Sequence, residues 1–169
     1  MNNDQLVIGV TGHRPSKLAK QNCYSDETLK KLTRLAYQNL KKLQPNKVIT
    51  GMALGWDTGV AIAALLLNIP VVAAVPFDGQ ESRWPPDAQR RYRRLLEKIE
   101  NSGGEVVIVS EGQYSPKKML LRDEYIVGNS NILIALWNGK KSGGTYHTVS
   151  YARQQNVETV NLWKSWKKL

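Results

Sequence analysis

Apolar residues along the chain fall into short unbroken runs, separated by longer segments in which they recur every three or four positions. Residues 6–11 (LVIGVT), 47–50 (KVIT), 71–75 (VVAAV), 105–110, 132–136 (ILIAL) and 159–163 read as strands. Ile132 to Leu136 carry no polar position at all, which fits a parallel sheet covered on both faces better than a half-exposed strand. Between the strands, Ser25 caps a segment with Leu29, Leu32, Leu35, Ala36, Leu40 and Leu43 on one helical face. Residues 57–68 form a small-residue helix that stops before Pro70. Residues 85–101 carry Ala88, Tyr92, Leu95, Leu96 and Ile99 at helical spacing, and helices are also predicted over 115–128 and 145–155. Six strands alternating with five helices predict an α/β, three-layer, doubly wound and mostly parallel sheet of the Rossmann-like kind, with right-handed crossovers.

Composition narrows the setting. At 169 residues, one domain spanning 1–169 is expected, without linker or repeat. Cys23 is the single cysteine, so no internal disulfide can form, and with only His13 and His147 beside it a structural zinc site is not expected. The start, MNNDQLVIGV, lacks the layout of a secretory signal, and the longest apolar run, over 60–67, is too short to span a bilayer. A soluble, cytoplasmic protein without a membrane partner is the expectation. The formal charge of +10 points to an anionic partner such as a nucleotide or nucleic acid.

In an open parallel sheet, ligands bind where the chain leaves the carboxyl ends of the strands. The chemically distinctive residues fall there: Gly12, His13 and Arg14 after the first strand, then Gly51, Met52, Ala53, Gly55 and Asp57 after the second. Phe77 to Glu81 and Trp84 follow the third, and Gly143, Gly144 and Thr145 follow the fifth. The Gly-Gly-Thr turn opening a helix offers close backbone approach, a hydroxyl and unpaired N–H groups to a phosphate. Neither GxGxxG after the first strand nor GxxxxGK[ST] anywhere is present, which argues against nicotinamide hydride transfer and P-loop hydrolysis.

These residues resemble the superfamily joining the DprA (Smf) DNA-processing proteins with the LOG-type nucleotide phosphoribohydrolases, called SLOG, and within it the YpsA-like branch. Residues 50–57, TGMALGWD, with Ala61, Ala64 and Leu65, are similar to the DprA pattern S-G-x-A-x-G-x-D-x-x-A. Pro76-Phe77, Gln80-Glu81 and Trp84, with Arg91 and Tyr92, resemble the YpsA-type signature, and Gly144, Thr145 and Thr148 resemble the DprA phosphate loop. Met119-x-x-Arg122, Ser130 and Ile134-Ala135-Leu136 are in register with the LOG stretch. Where LOG enzymes carry a glutamate, however, this chain has Thr148, which cannot stabilise an oxocarbenium-like centre or act as a base at neutral pH. The resemblance therefore implies a retained binding half and an altered catalytic half.

Individual residues carry alternatives. Arg122 could fork onto a phosphate or ribose, or pair with Glu124 or Glu111. His13 and Arg14 could contact a ligand or merely cap their loop. Asp57 could cap its helix, accept from a ribose or hold a substrate-bound Mg²⁺. No cofactor is otherwise expected, and Mg²⁺ only with a phosphorylated ligand. One of Trp56, Trp84 and Trp137 could stack a base, core filling being the other fate. Arg90, Arg91, Arg93 and Arg94 form the densest positive cluster, either a solvated stripe or a polyanion track. The leading expectation is a protein binding a nucleotide or nucleotide-derived small molecule through Gly12, His13, Arg14, Gly51, Met52, Ala53, Gly55, Asp57, Arg122, Gly143, Gly144, Thr145 and Thr148, a sensor without turnover. One alternative is cleavage of a nucleotide's glycosidic or phosphate bond, with Arg122, Asp57, Glu81 and Asp123 as candidates. The other is a DprA-like single-stranded DNA-binding protein using Arg90, Arg91 and Arg94. A homo-oligomer is expected from the resemblance, and the Trp- and Lys-rich tail over 164–169 is expected to pack against the body or meet a partner.

Overall fold

The computed structural model describes residues 5–21 and 24–169; Cys23 and the first four residues, on which two of the expectations rest, lie outside them. Six strands form one sheet: β1 (Val7–Gly12), β2 (Lys47–Thr50), β3 (Val71–Val75), β4 (Glu105–Ile108), β5 (Ile132–Leu136) and β6 (Glu158–Asn161). The order is β4-β3-β2-β1-β5-β6, and every pairing is parallel. The chain winds outward from β1 through β2 and β3 to β4, then crosses back to lay β5 on the other side of β1. That reversal leaves a crevice between the carboxyl ends of β1 and β5.

Strand residues alternate between two cores, as period-two geometry demands. Ile8, Val10, Val48, Val71, Ala73, Val75, Ile134 and Leu136 enter the larger core, under α2 (Asp26–Leu43), α3 (Trp56–Leu66) and α4 (Pro86–Asn101). Ile49, Val72, Ala74, Leu133 and Ala135 enter the smaller, with Ile126 and Val127 of α5 (Pro116–Gly128) and Val149 and Ala152 of α6 (Gly144–Gln154). The central strands are thus buried on both sides, which is why their sequences run without polar interruption. Small residues let α3 lie close: a methyl group at Gly59 would meet Leu32 of α2 at 3.0 Å.

The expected Ser25 cap forms, its Oγ accepting from Thr28 N–H at 3.2 Å, and Ser115 Oγ caps α5 in the same way, accepting from Lys118 N–H at 3.3 Å. Two short helices escape the periodicity, α1 (Pro15–Leu18) and α7 (Trp163–Trp166), because four residues are too few for an apolar repeat. β4 ends two residues before the expected boundary, and β6 is Glu158–Asn161 because Trp163 belongs to α7. The tail lies against the body, with Trp166 donating its indole N–H to the Leu18 carbonyl at 3.3 Å. Among the described residues, no helix is long and apolar enough to cross a membrane.

Candidate functional site

A cleft of about 480 Å³ occupies the crevice between the ends of β1 and β5. Gly12, His13 and Arg14 form one wall with Ser16 and Lys17 of α1; Ala53 comes from the turn after β2 and Asp57 from the start of α3. Met119, Arg122 and Asp123 of α5 face Gly144 and Thr145 at the start of α6, and Tyr114 closes one side.

Local packing explains how each wall is held. Gly12 has no side chain because the fully buried Trp56 ring lies against its α-carbon, where a methyl group would overlap the indole. The next residue, His13, ties the β1 loop to β5: its N–H donates to the Leu136 carbonyl at 3.0 Å, and its Nε2 accepts from Asn138 N–H at 3.1 Å. With Nε2 accepting, the ring proton of neutral His13 sits on Nδ1, 3.5 Å from Thr145 Oγ1. Burial holds the His13 pKa below its ordinary value, and the Lys17 charge acts in the same direction. The ring also meets the Trp163 indole edge-to-face at 5.8 Å.

The start of α6 is left uncapped by any side chain, and Gly143, which precedes it, has φ 86°, a left-handed conformation suited to glycine. The leading N–H groups, which have no intrahelical acceptor, therefore sit at the cleft together with the helix's positive end. Arg14 and Lys17 add positive charge; both are exposed and neither makes an ion pair among the described residues.

Beneath them, Arg122 is only 5% exposed. It donates from Nε to Asp123 Oδ1 at 2.8 Å and from Nη1 to the Gly51 carbonyl at 2.7 Å. The same carbonyl accepts from Gln80 Nε2 at 3.1 Å, and Gln80 also donates to the Tyr92 hydroxyl at 3.2 Å. Asp57, at the start of α3, accepts from Ala53 N–H at 3.3 Å. Burial pushes the Asp57 carboxyl up to about 6, against the pull of Arg122 and of the Ala53 hydrogen bond. Asp123 is committed to Arg122 and Asp57 is ionised only above about pH 6, while the exposed Arg14 and Lys17 and the helix end supply positive charge to the cleft.

Of the residues expected from the sequence, Gly12, His13, Arg14, Ala53, Asp57, Arg122, Asp123, Gly144 and Thr145 line this one cleft. Gly51 lies behind it, under the Arg122 guanidinium. Met52 is fully buried with φ 56°, its N–H donating to Thr50 Oγ1 at 3.3 Å, and is not brought to the cleft. Gly55 caps α3 on the far side of the β1 loop, where a methyl group would press on His13 O and Pro15. Gly143 is exposed at the α6 cap, and Thr148 is buried, its hydroxyl donating to the Gly144 carbonyl at 2.8 Å. Glu81 is not brought to the cleft: it pairs with Arg93 at 3.1 Å, its Oε2 buried without a partner.

The arginine track on α4 is largely neutralised, Arg90 by Asp87, Arg91 by Asp26 at 2.9 Å and Arg93 by Glu81; Arg94 remains exposed. Among the tryptophans, Trp56 is core, Trp84 packs on Tyr92 and Trp137 stacks on Tyr146. Ser16, Lys17 and Tyr114 were not expected in the cleft. For Lys17 a signal existed: it follows Arg14 by three positions in a Pro-initiated turn, the spacing that puts two side chains on one helical face. Among the described residues, no group of three or more His, Cys, Asp and Glu side chains converges to hold a metal.

The profile of the DNA recombination-mediator protein A family matches residues 17–167. The SPbeta prophage-derived protein YoqJ of Bacillus subtilis (strain 168) is 30% identical over 150 residues, covering 79% of this chain and 84% of its own. A UPF0398 protein of Bacillus cereus (strain AH820) is 25% identical over 157 residues, covering 88% and 83%. Among solved structures, DNA processing protein A of Streptococcus pneumoniae superposes with a TM-score of 0.61 at 19% identity, over 91% of this chain and 49% of that one. DNA processing protein A of Helicobacter pylori, described for its single-stranded DNA binding mode, gives 0.63 at 18% identity, over 92% and 64%. The chain thus spans about half of the first solved chain and slightly under two thirds of the second. At these identities the likeness shows a shared fold.

Proposed function

The chain belongs to the DNA recombination-mediator protein A family, within the superfamily that joins DprA-type and LOG-type proteins, and we propose that it binds a nucleotide or nucleotide-derived ligand in the β1/β5 cleft, phosphate toward the start of α6. The observation that carries this reading is the convergence of an uncapped helix N-terminus with Arg14, Lys17 and Arg122 on one concave site at the sheet's reversal point. A binding or sensing role fits better than turnover. The Thr148 hydroxyl is spent on a backbone carbonyl, and of the two carboxylates lining the cleft Asp123 is tied to Arg122.

Calorimetric titration with nucleoside mono- and diphosphates tests this. Arg14→Ala and Lys17→Ala, both at exposed positions, are each expected to weaken binding at least tenfold, since a hydrogen bond to a charged group contributes about 1.5–3 kcal/mol. Absence of heat and of thermal stabilisation at millimolar nucleotide refutes the proposal.

A second reading, a single DNA strand in the same cleft, is favoured by the family and by the DNA-binding mode described for the Helicobacter pylori relative. The ion pairs on α4 favour the cleft over the arginine helix for that contact. On this reading, changing Arg90 and Arg94 together to Ala leaves strand affinity within about threefold, whereas Arg14→Ala lowers it tenfold or more.

A further inference from the structure

A groove of about 400 Å³ runs between the outer flanks of α2 and α3 and shares no lining residue with the cleft. Leu29, Thr33 and Tyr37 of α2 line one bank at i, i+4 and i+8, and Ile62 and Leu66 of α3 line the other at i and i+4. These positions lie beyond what the core takes from α2, which already buries Leu32, Leu35, Ala36 and Leu40. Leu66 is 64% exposed, more than any other large apolar side chain among the described residues. One exposed leucine needs no explanation, but apolar rows on two adjacent helices forming the walls of one depression do. The track also continues: Asp26, Leu29 and Arg91 line a second cavity of about 390 Å³, whose walls include Leu32, Leu54 and Ala88.

Charge selects the occupant. Lys30 and Arg34 stand along the groove, exposed and without an ion pair among the described residues. Asp26, the one carboxylate among the described residues lining it, is held by Arg91 at 2.9 Å. An apolar floor beside unpaired cations is complementary to an amphipathic helix with anchors at i, i+3 or i+4, and i+7, flanked by carboxylates. A second copy of this chain, with net charge +10, would set the same patch against itself and bring Lys30 and Arg34 against like charges. A small apolar ligand would be left largely in water by walls this exposed. A lipid surface is reached by side chains that protrude, not by the floor of a depression.

We infer that the α2/α3 groove docks an acidic amphipathic helix of a partner protein, its apolar anchors on Tyr37, Ile62 and Leu66 and its carboxylates on Lys30 and Arg34. Nothing in this depends on the nucleotide reading of the cleft.

The test is fluorescence anisotropy with a panel of labelled helical peptides of about 18 residues, roughly 27 Å of helix. They carry Leu, Phe or Trp anchors at i, i+4, i+7 and i+11 and glutamate on both flanks. Two controls keep the anchors with lysine flanks or scramble the acidic sequence at constant composition. At least one acidic helix is expected to bind about tenfold or more tightly than both controls. Leu66→Gln, and the pair Lys30→Gln with Arg34→Gln, all at exposed positions and checked for an unchanged melting temperature, should each weaken it about fivefold or more. Lys140→Gln with Lys141→Gln, which removes two exposed cations elsewhere, should leave it within about twofold. A panel in which no acidic helix outbinds its scrambled control, or equal losses from the two pairs of cations, overturns the docking site as a general charge effect. A protein that sediments as a dimer until Leu66 is changed gives the face to a second copy and overturns the proposal. Leu66-dependent binding to phosphatidylglycerol vesicles without peptide binding overturns it in favour of a membrane.

Discussion

Asp57→Asn is the substitution whose effect can be worked out most fully. The carboxyl is buried, and its pKa in the folded chain is about 6 against an ordinary 3.8. Between these values the folded protein retains a proton that the unfolded chain has released, so stability falls as pH rises through this window and levels off above about 6. A shift of roughly two units, at about 1.4 kcal/mol each, puts the cost of ionised Asp57 near 3 kcal/mol at neutral pH. Asparagine is nearly isosteric and keeps an oxygen for the Ala53 N–H, but carries no charge. The variant should therefore gain up to about 3 kcal/mol at pH 7.5, or up to about 10 °C in melting temperature for a chain of this size, and little at pH 4. Differential scanning calorimetry of ligand-free protein across pH 4–8 reads both the gain and its pH dependence. His13 slopes the other way: with its pKa lowered on folding, it withdraws stability as pH drops below about 6.5, but it does so in both proteins and cancels in the difference. An Asn variant that melts lower at pH 7.5, or a difference independent of pH, refutes the reasoning and means that Arg122 holds Asp57 ionised at little cost.

Two further outcomes follow from the same walls. Gly51→Ala drives a methyl group into the Arg122 guanidinium, and is expected to destabilise by about 1–3 kcal/mol in urea denaturation and to abolish nucleotide-induced thermal shifts. Nitrogen-15 spectra of the imidazoles should show His13 as the neutral Nδ1–H tautomer at pH 6.5, where an exposed histidine is half protonated; an imidazolium signal at that pH contradicts the hydrogen bond to Asn138.

Much of the architecture was legible because it is written in local pattern. The unbroken run at Ile132–Leu136 announced a strand covered on both faces, and Ser25 announced a helix start, because capping and two-sided burial act within a few residues. That the loops after β1, β2 and β5 share one edge followed from parallel topology alone. What stayed hidden depended on partners distant in sequence. Arg91 read as free charge because its partner, Asp26, lies 65 residues away on another helix. Arg122 was recognised, but its fixture to the Gly51 carbonyl, 71 residues upstream, has no sequence signature. Glu81 looked as eligible as Asp57 until α4 brought Arg93 against it. The tail's tryptophans showed no periodicity, and the place of Trp163 beside His13 and of Trp166 against Leu18 is set by the last turn of chain after β6.

The oxygen of Gly51 accepts from Arg122 and Gln80 at once, filling both of its lone pairs with donors from α5 and from the loop after β3. Three segments that meet nowhere else in sequence are thereby clasped at a single atom. The guanidinium is fixed in the folded chain, so the entropy of immobilising that long side chain is spent during folding. On the proposed reading, preorganisation of this kind is what would let an open cleft hold a small anion without a large ordering cost.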